Sequence, residues 1–329
     1  MKFFVKRFRL FLVAMPLLSV TCCDMVRAAD QQVIVVIGAE GTSEYGQMFD
    51  QWADQWEAAA TTGGALFEII GRGEGGDDLQ QLQKKVASSI GTPSTEPLWL
   101  VLIGHGTFDG RTPRFNLRGP DLSAGAAAEM LASAERPVAI INCSSCSAPF
   151  INALSAPNRI VMTGTKDGGE IQFTRFGGFL ADAIGKLEAD IDRDGQTSLL
   201  EGWLFAARRT EEFYKSDGRL ATEHSLLDDS GDGKGTRAEL FEGVRLKPNV
   251  KDQETPDGKL SRRWHLIRSD AERSLTAEQR TQRDQLEETL EKLREQKSEL
   301  LEPDYLRELE KILIPLAQLY EDAATENPK

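Results

Sequence analysis

The sequence predicts an α/β fold with a mostly parallel central sheet and helices on both faces. Short runs of apolar, often β-branched residues alternate with segments of helical periodicity. Strands that are covered on both faces read as continuous apolar runs, which is typical of a parallel sheet. The predicted strands comprise residues 31–37, 65–70, 98–103, 138–141 and 159–163.

The helices between these strands are marked by their apolar spacing. After Gly38 ends the first strand, Phe49, Trp52 and Trp56 recur at helical intervals and predict a helix that packs on the sheet. Residues 77–89 predict a polar helix with an acidic N-terminal end, which suits the helix dipole. A further helix is expected near residues 123–134, and another begins beyond Arg175, with Phe176, Phe179, Leu180 and Ile184 on its apolar face.

The helix after Arg175 leads to an acidic stretch, residues 190–201, that fits the twelve-residue EF-hand calcium loop. Oxygen donors occupy positions 1, 3, 5, 9 and 12, glycine occupies position 6, and the main-chain carbonyl serves at position 7. The predicted calcium ligands are Asp190, Asp192, Asp194, Gln196, Ser198 and Glu201. The alternative interpretation is an acidic turn in solvent.

A second copy of this pattern, residues 228–239, has glycine at positions 4, 6 and 8 and no clear helix before it. Its candidate ligands are Asp228, Ser230, Asp232, Lys234, Thr236 and Glu239. Calcium bound at either loop would neutralise local acidic charge, so the expected role is structural. Residues 190–245 are therefore interpreted as an EF-hand-like region.

The remaining chain predicts a loop or hairpin over residues 246–270 and a helical extension over residues 271–329. Thr276 and Gln279 form a capping-box pattern at the start of a long charged helix, and a second helix follows Pro303. The leucine stripes on these helices favour an antiparallel hairpin, with a coiled coil joining two chains into a homodimer as the alternative.

Residues 1–28 have the pattern of an export signal. Basic residues precede an apolar run at residues 10–20, and small residues near Ala28 suit cleavage. The run is short and is interrupted by Pro16, so a stable membrane span is not expected. A lipid anchor at Cys22 or Cys23 is disfavoured because no small residue of the usual kind precedes them. The sequence thus predicts a periplasmic or secreted protein.

Charge and cysteine content narrow the function classes. The formal net charge is −13, and loss of residues 1–28, with five basic residues and one acidic residue, would make it −17. So acidic a protein repels phosphate, which argues against nucleic acid and anionic membranes as partners. Only Cys143 and Cys146 would remain, too few for a disulfide framework.

Two reactive residues follow neighbouring predicted strands. His105 follows the strand at residues 98–103, and Cys143 follows the strand at residues 138–141. Ligands of parallel sheets bind beyond the carboxyl ends of the strands, where both residues are expected. A cysteine attacks a carbonyl when a base such as histidine takes its proton. The N–H groups of Gly106 and Cys143 are the candidate oxyanion donors.

Four short segments resemble the caspase-like cysteine peptidases, nearest the legumain branch. They are residues 101–107, 115–117, 121–122 and 140–147. The resemblance covers residues 31–185 and implies a caspase-like core over residues 29–189. It also implies a catalytic dyad of His105 and Cys143, Gly106 as an oxyanion donor, and hydrolysis of peptide bonds through a thioester. Two positions depart from the family pattern, Asn142 in place of alanine and Cys146 in place of glycine.

Two other functions remain open. Cys143 and Cys146 form a C-x-x-C motif, so a thiol redox protein is one alternative, and a disulfide between them would make Cys146 a regulatory thiol. A catalytically inactive caspase-like binding or scaffold protein is the other alternative.

The positions of some residues after the carboxyl ends of the predicted strands indicate that they could line a substrate pocket. The candidates are Glu40, Tyr45, Thr165, Asp167 and Glu170, which follow the first and fifth strands. Their acidic members would favour a basic residue before the scissile bond through charge pairing. The same residues also fit ordinary solvated loops, and the legumain resemblance implies asparagine or aspartate instead.

Overall fold

The central sheet runs through the segments that the apolar runs predict. The computed structural model describes residues 31–73, 75–91, 93–247 and 256–326. Numbered along the chain, the strands are β1 (Gln32–Ile37), β2 (Leu66–Ile70), β3 (Leu98–Ile103), β4 (Gly106–Phe108), β5 (Pro113–Phe115), β6 (Leu122–Ser123), β7 (Val138–Asn142), β8 (Arg159–Thr163), β9 (Leu226–Asp228), β10 (Thr236–Arg237), β11 (Phe241–Glu242) and β12 (Arg245–Leu246). The α-helices are α1 (Ser43–Gly63), α2 (Asp78–Ile90), α3 (Ala124–Met130), α4 (Ile151–Leu154), α5 (Phe176–Ile184), α6 (Leu199–Ser216), α7 (Asp270–Ser274), α8 (Ala277–Glu295) and α9 (Glu302–Glu326).

The main sheet has the strand order β10-β9-β8-β7-β3-β1-β2. Its five strands from β8 to β2 are parallel, whereas β9 and β10 extend the β8 edge in antiparallel fashion. Strands β4, β5 and β6 form a small antiparallel sheet of their own. The predicted α/β class with a mostly parallel sheet is confirmed.

Both faces of the sheet are buried, and this explains the unbroken apolar runs. In β3, Trp99, Val101 and Ile103 face the core that contains side chains of α1, α5 and α6. The alternate residues of the same strand face a second core with side chains of α2, α3 and α4. Since each large apolar side chain contributes roughly 1.5–3 kcal/mol when buried, two filled faces hold the sheet rigidly.

Several helix starts carry the caps that their sequences encode. The Asp77 carboxylate accepts the Gln80 N–H at the start of α2, 2.9 Å away. The capping box of Thr276 and Gln279 at the start of α8 forms as predicted. Each such cap satisfies N–H groups that the helix itself leaves without acceptors.

Three elements differ from expectation. Helix α3 ends at Met130 rather than near residue 134. Helix α5 ends at Ile184, and a 3-10 turn at Leu187–Ala189 separates it from the acidic loop at residues 190–201. The β11–β12 hairpin precedes the expected hairpin region, of which residues 248–255 lie outside the described residues.

The C-terminal extension is a helical hairpin, as predicted. Leu275, just before α8, packs against Leu319 of α9, while Leu290 near the other end of α8 packs against Ile312. These contacts make the two helices antiparallel. Among the described residues, no helix is both long and apolar enough to cross a bilayer. The proposed export signal, residues 1–28, lies outside the described part of the chain.

Candidate active site

The sheet brings His105 and Cys143 to the same edge. β3 and β7 are adjacent and parallel, with Leu102 paired with Asn142 in the register. His105 comes two residues after the end of β3, and Cys143 comes directly after β7. The carboxyl ends of both strands therefore deliver the two residue types that the sequence singled out.

Three aromatic rings and one carbonyl hold His105. The centroids of Tyr45, Phe49 and Phe173 lie 4.9, 5.4 and 6.0 Å from that of the imidazole. The Nε2 atom lies 3.3 Å from the carbonyl oxygen of Glu40. Because a carbonyl only accepts hydrogen bonds, this contact favours the proton on Nε2 and leaves Nδ1 as the acceptor of the neutral ring.

The Cys143 thiol is buried against the first turn of α5. The side chain is 1% exposed. A Cβ atom placed on Gly177 would lie 2.7 Å from the Cys143 Cβ, 3.0 Å from its Sγ and 3.1 Å from the Trp52 ring. Burial, aided by the charge of Glu223, raises the pKa of this thiol to about 12. The group is therefore a neutral thiol at neutral pH in this conformation.

No hydrogen bond between the Cys143 thiol and the His105 ring occurs among the described residues. Aromatic side chains occupy the region that both residues border. Phe173 packs on the imidazole, and its centroid lies 5.9 Å from that of Trp52, which contacts the same turn of α5 as the thiol. The two candidate catalytic residues thus share a sheet edge and an aromatic environment, without a hydrogen bond between them among the described residues.

Both expected oxyanion donors are engaged within the protein. The Cys143 N–H donates to the Leu102 carbonyl at 2.9 Å, extending the sheet by one bond. The Gly106 N–H donates to the Ser145 hydroxyl at 3.2 Å, and that hydroxyl donates in turn to the Gly106 carbonyl. This conformation therefore does not present the oxyanion site that the sequence predicts, because internal acceptors occupy both N–H groups.

The residues after β7 form a tight turn. Asn142 is fully buried, and its side-chain carbonyl accepts the N–H and the hydroxyl of Ser144 at 3.1 and 2.6 Å. Its Nδ2 atom is buried and has no hydrogen-bond partner within the described part of the chain. Asn142 thus orders the chain after Cys143, a role that alanine at this position would not perform.

Cys146 occupies a left-handed backbone conformation, with φ of 54°. Glycine adopts this conformation without steric cost, and glycine is the residue that the resembling family has here. The Cys146 N–H donates to the Glu170 carbonyl at 3.0 Å. Burial and the nearby Asp167 raise the pKa of its thiol. Cys143 and Cys146 are both free thiols, so the disulfide is not formed in this structure.

The four acidic or hydroxyl candidates for a substrate pocket have different environments. Glu40 and Asp167 are exposed, as a pocket wall requires. Thr165 is fully buried, and its hydroxyl accepts the Ala148 N–H, so it serves the fold and lines no open pocket. Glu170 pairs with Lys166 and with the His224 ring, which neutralises much of the charge that it would offer a substrate.

The residues that cover the thiol were not predicted from the sequence. The Thr174 hydroxyl donates to the Cys143 carbonyl, and the Glu223 carboxylate holds the backbone at Arg175 and Phe176. Nothing in the local pattern around Glu223 distinguishes it from an exposed polar stretch. Only its 2% exposure in the folded chain reveals that role.

The first acidic loop assembles three of its predicted ligands. Carboxylate oxygens of Asp190, Asp192 and Asp194 lie within 4.8 Å of one another. Burial and the neighbouring acids raise the pKa of Asp192 to about 6. Glu201 accepts the N–H groups of Ile191 and Asp192 at 2.8 and 3.2 Å. Crowded carboxylates that repel one another suit a divalent cation with oxygen ligands.

Gln196 and Ser198 occupy supporting places in this loop. The Gln196 side chain donates to the Asp194 carboxylate, while the Ser198 hydroxyl caps α6 in a capping box with Glu201. The calcium pattern requires the main-chain carbonyl of Gln196 rather than its side chain. The side-chain oxygen of Gln196 accepts a hydrogen bond from the Ser269 N–H.

The second acidic loop takes a different form. Asp228 and Thr236 lie on β9 and β10, so the segment is the turn of a β-hairpin. Thr236 bonds to the Asp257 carboxylate at 2.5 Å, and Glu239 is 57% exposed and pairs with Arg237. Asp232 and Lys234 are exposed. Among the described residues, only Asp190, Asp192 and Asp194 form a carboxylate cluster of metal-ligand geometry. The second segment is thus a hairpin turn whose acids form no such cluster among the described residues, and calcium binding there stays a prediction.

No protein-family model matches the chain, and no curated protein matches it. Solved structures that overlap with part of it include the initiator caspase Dronc of Drosophila, with a TM-score of 0.40 and 14% identity over 63% of this chain and 82% of that one. Caspase-1 of Spodoptera frugiperda has a TM-score of 0.39 and 9% identity, over 60% of this chain and 86% of that one. The structure of drICE has a TM-score of 0.37 and 8% identity, over 65% of this chain and 94% of that one. The chain is thus similar to caspases in part of its backbone, and overlap of this extent assigns no function.

Proposed function

We propose that this chain is a cysteine endopeptidase in which Cys143 is the nucleophile and His105 the general base. The observation that carries the proposal is that both residues follow adjacent parallel strands, β3 and β7, and end at one edge of the sheet. A thiol and an imidazole at such an edge are the pair that acyl transfer requires. The resemblance of residues 101–107 and 140–147 to caspase-like peptidases, nearest legumain, supports the same reaction.

The reaction transfers one proton and forms one thioester. His105 removes the proton of the Cys143 thiol, and the sulfur attacks the peptide carbonyl carbon. The imidazolium then gives its proton to the leaving amine, and water hydrolyses the thioester to release the acid and restore the Cys143 thiol. Oxyanion stabilisation by Gly106 and Cys143 requires both N–H groups to leave the carbonyl and hydroxyl acceptors that they bind in this structure.

Peptide hydrolysis tests the proposal. We expect the reduced, calcium-loaded protein to cleave members of a positional peptide library, and Cys143→Ala to lower kcat/KM about a thousandfold or more. His105→Ala should cost about a hundredfold or more, as loss of a general base does. Cys146→Ala is the matched control and should retain turnover. Cleavage that persists in Cys143→Ala would refute the mechanism.

The burial of Cys143 favours a second candidate, a peptidase-like binding or scaffold protein without turnover. A thiol with a pKa of about 12 is a poor nucleophile at neutral pH. Absence of cleavage in a correctly folded protein, under every condition of the library experiment, would favour this candidate. Reduction of a test disulfide that needs both Cys143 and Cys146 would instead favour thiol redox chemistry.

We also propose a structural calcium ion at residues 190–201. Asp190, Asp192 and Asp194 would bind it through carboxylate oxygens, with the Gln196 carbonyl and Glu201 as further ligands. The ion would supply positive charge to a cluster of mutually repelling acids. It would thereby fix the start of α6, whose first residues Leu199 and Leu200 are buried in the main core.

We also propose that the protein is exported and that it forms homodimers. The basic and apolar pattern of residues 1–28 supports export to the periplasm or the medium. Leu306, Leu313 and Ile314 on α9 are 53%, 42% and 48% exposed, and they support self-association through the C-terminal helices.

For the substrate, exposed Glu40 and Asp167 at the sheet edge support a peptide with a basic residue.

A further inference from the structure

A buried carboxylate, that of Glu223, binds the backbone next to the candidate nucleophile. Its side chain is 2% exposed. Its oxygens accept the Arg175 N–H at 2.8 and 2.9 Å and the Phe176 N–H at 3.0 Å. The Tyr214 hydroxyl donates to the same carboxylate at 3.0 Å. A buried charge with this many donors is held firmly in one place.

The backbone that Glu223 holds lies directly over Cys143. We define the cover segment as residues 173–177. At its start Phe173 packs on the His105 ring, and Thr174 donates its hydroxyl proton to the Cys143 carbonyl. At its end Gly177 leaves no room for a side chain, because a methyl group there would lie 2.7 Å from the Cys143 Cβ and 3.0 Å from its Sγ. The cover segment thus touches both members of the proposed dyad.

Glu223 also supplies the cap that helix α5 lacks. Arg175 occupies the N-cap position, and no side-chain hydrogen bond from Arg175 caps the helix. The first N–H groups of any α-helix lack partners within the helix, so a helix start without a cap frays. Because Glu223 accepts from Arg175 and Phe176, it keeps the first turn of α5 folded against the thiol.

The same charge acts on the thiol. A cysteine near a helix N-terminus is normally a better acid, because the dipole stabilises the thiolate. Here a carboxylate occupies that helix start, and its negative charge opposes the dipole. Glu223 is one of the causes that raise the pKa of Cys143, after burial.

The neighbouring residue binds the same loop at a second point. The His224 N–H donates to the Glu170 carboxylate at 3.0 Å, and the His224 ring pairs with that carboxylate as well. Lys166 completes this cluster through its backbone N–H, which donates to Glu170 at 2.9 Å. Residues 223 and 224 therefore tie down both the middle and the end of the loop that follows β8.

We propose that Glu223 is a latch that holds the cover segment over Cys143 and keeps the chain in a closed resting state. Release of the latch unfolds the first turn of α5, exposes the thiol and frees it to ionise. The regulatory meaning of the latch rests on the proposed peptidase function, whereas the closure itself does not.

Alkylation of Cys143 in the full-length, reduced protein tests the latch. Timed pulses of iodoacetamide under native conditions are followed by digestion and mass spectrometry of the peptide that carries Cys143. We expect Glu223→Ala to accelerate alkylation about tenfold or more, since hydrogen bonds to a buried charge are lost. Glu223→Gln keeps an acceptor oxygen and removes the charge, so the pH midpoint of alkylation should fall with a smaller gain in rate. Glu211→Ala, an exposed acid on α6, is the matched control and should leave the rate unchanged.

Cys146 in the same digest separates opening of the latch from general unfolding. Release of the cover segment should accelerate Cys143 and leave Cys146 much slower, whereas global unfolding accelerates both thiols equally. The latch is overturned by equal acceleration of both, by unchanged Cys143 rates in both Glu223 variants, or by a wild-type rate equal to that in urea.

Peptide hydrolysis by the same variants is measured in a separate assay, which distinguishes failure of the latch from failure of the peptidase proposal. A Glu223→Ala protein that alkylates rapidly and cleaves no peptide would refute the peptidase proposal and leave the latch standing. Wild-type cleavage with no effect of Glu223 on alkylation would refute the latch alone.

Discussion

At the scale of single residues, one segment packs against both candidate catalytic residues: Phe173 lies on the His105 ring, and Gly177 lies tightly against the Cys143 side chain. His105 and Cys143 could be placed from sequence because each follows an apolar run, and parallel strands end at one edge. The residues packed against them could not be predicted in this way, because Phe173 and Gly177 come from a later loop and helix. The tight packing at Gly177 and the 2% exposure of Glu223 depend on tertiary structure alone.

Substitution of Gly177 should reveal how tightly the thiol is covered. Alanine usually stabilises a helix relative to glycine, by roughly 0.5–1 kcal/mol. In Gly177→Ala the new methyl group would lie 2.7 Å from the Cys143 Cβ, so we expect a loss of about 1–3 kcal/mol from overpacking. Urea unfolding measures the change.

Gly202→Ala in α6 is the control for that substitution. Its nearest neighbour, a Leu180 methyl carbon, is 3.4 Å from the added Cβ, an ordinary contact distance. This variant should be neutral or more stable than the parent chain. Equal gains in stability from both substitutions would show that α5 does not press on the thiol.

At the scale of elements, a ligand-spacing pattern predicts a metal site reliably when the secondary structure on either side of it is the kind that the pattern requires. The two acidic loops illustrate this, since the ligand spacing recurs at residues 190–201 and 228–239. The first is followed by α6, as the pattern requires, and its acids cluster. The second forms the turn between the paired strands β9 and β10, and its acids form no such cluster among the described residues. Spacing alone could not distinguish the two, because strand pairing is a long-range choice.

Calcium should stabilise the protein through the first loop alone. We expect unfolding in urea to shift by about 2.7 kcal/mol when free calcium is 100 times its Kd. Asp192→Asn should abolish most of that shift and should stabilise the metal-free protein, because it removes one of the mutually repelling charges.

Asp232→Asn in the second loop is the matched control and should leave the calcium response intact. A response that depends on Asp232 and not on Asp192 would contradict the assignment. Chelation by EDTA should reverse the shift in the wild-type protein.

At the scale of the whole molecule, alternation of strands and helices predicted the parallel sheet and its two covered faces. The antiparallel extension by β9 and β10 was not predicted, because these strands are short and the second lies in an acidic, glycine-rich stretch. The position of the C-terminal extension was equally hidden. Glu96, just before β3, pairs with Arg268 and Arg280, and such contacts between distant charges leave no local pattern.

His265 lies where these parts of the molecule meet. It forms an isolated β-bridge with Ser198 at the end of the acidic loop, and its carbonyl accepts the side-chain N–H of Gln31 at 3.0 Å. Burial, with the charges of Arg283 and Arg268, lowers the pKa of the imidazole to about 3. The ring is therefore neutral in the folded chain and becomes protonated mainly after unfolding.

This environment makes the folding free energy depend on pH in a defined direction. A lowered pKa means that the unfolded chain binds the extra proton below about pH 6.5, so stability is complete above that pH and declines toward pH 3. Relative to His265→Gln, which cannot titrate, the wild type should lose about 2 kcal/mol between pH 7 and pH 5. Urea unfolding of both proteins at several pH values measures the difference. Other acids titrate equally in the two chains, so the difference between their free energies of unfolding reports His265 alone. Parallel pH profiles of the two proteins would show that the ring is solvated rather than buried at this junction.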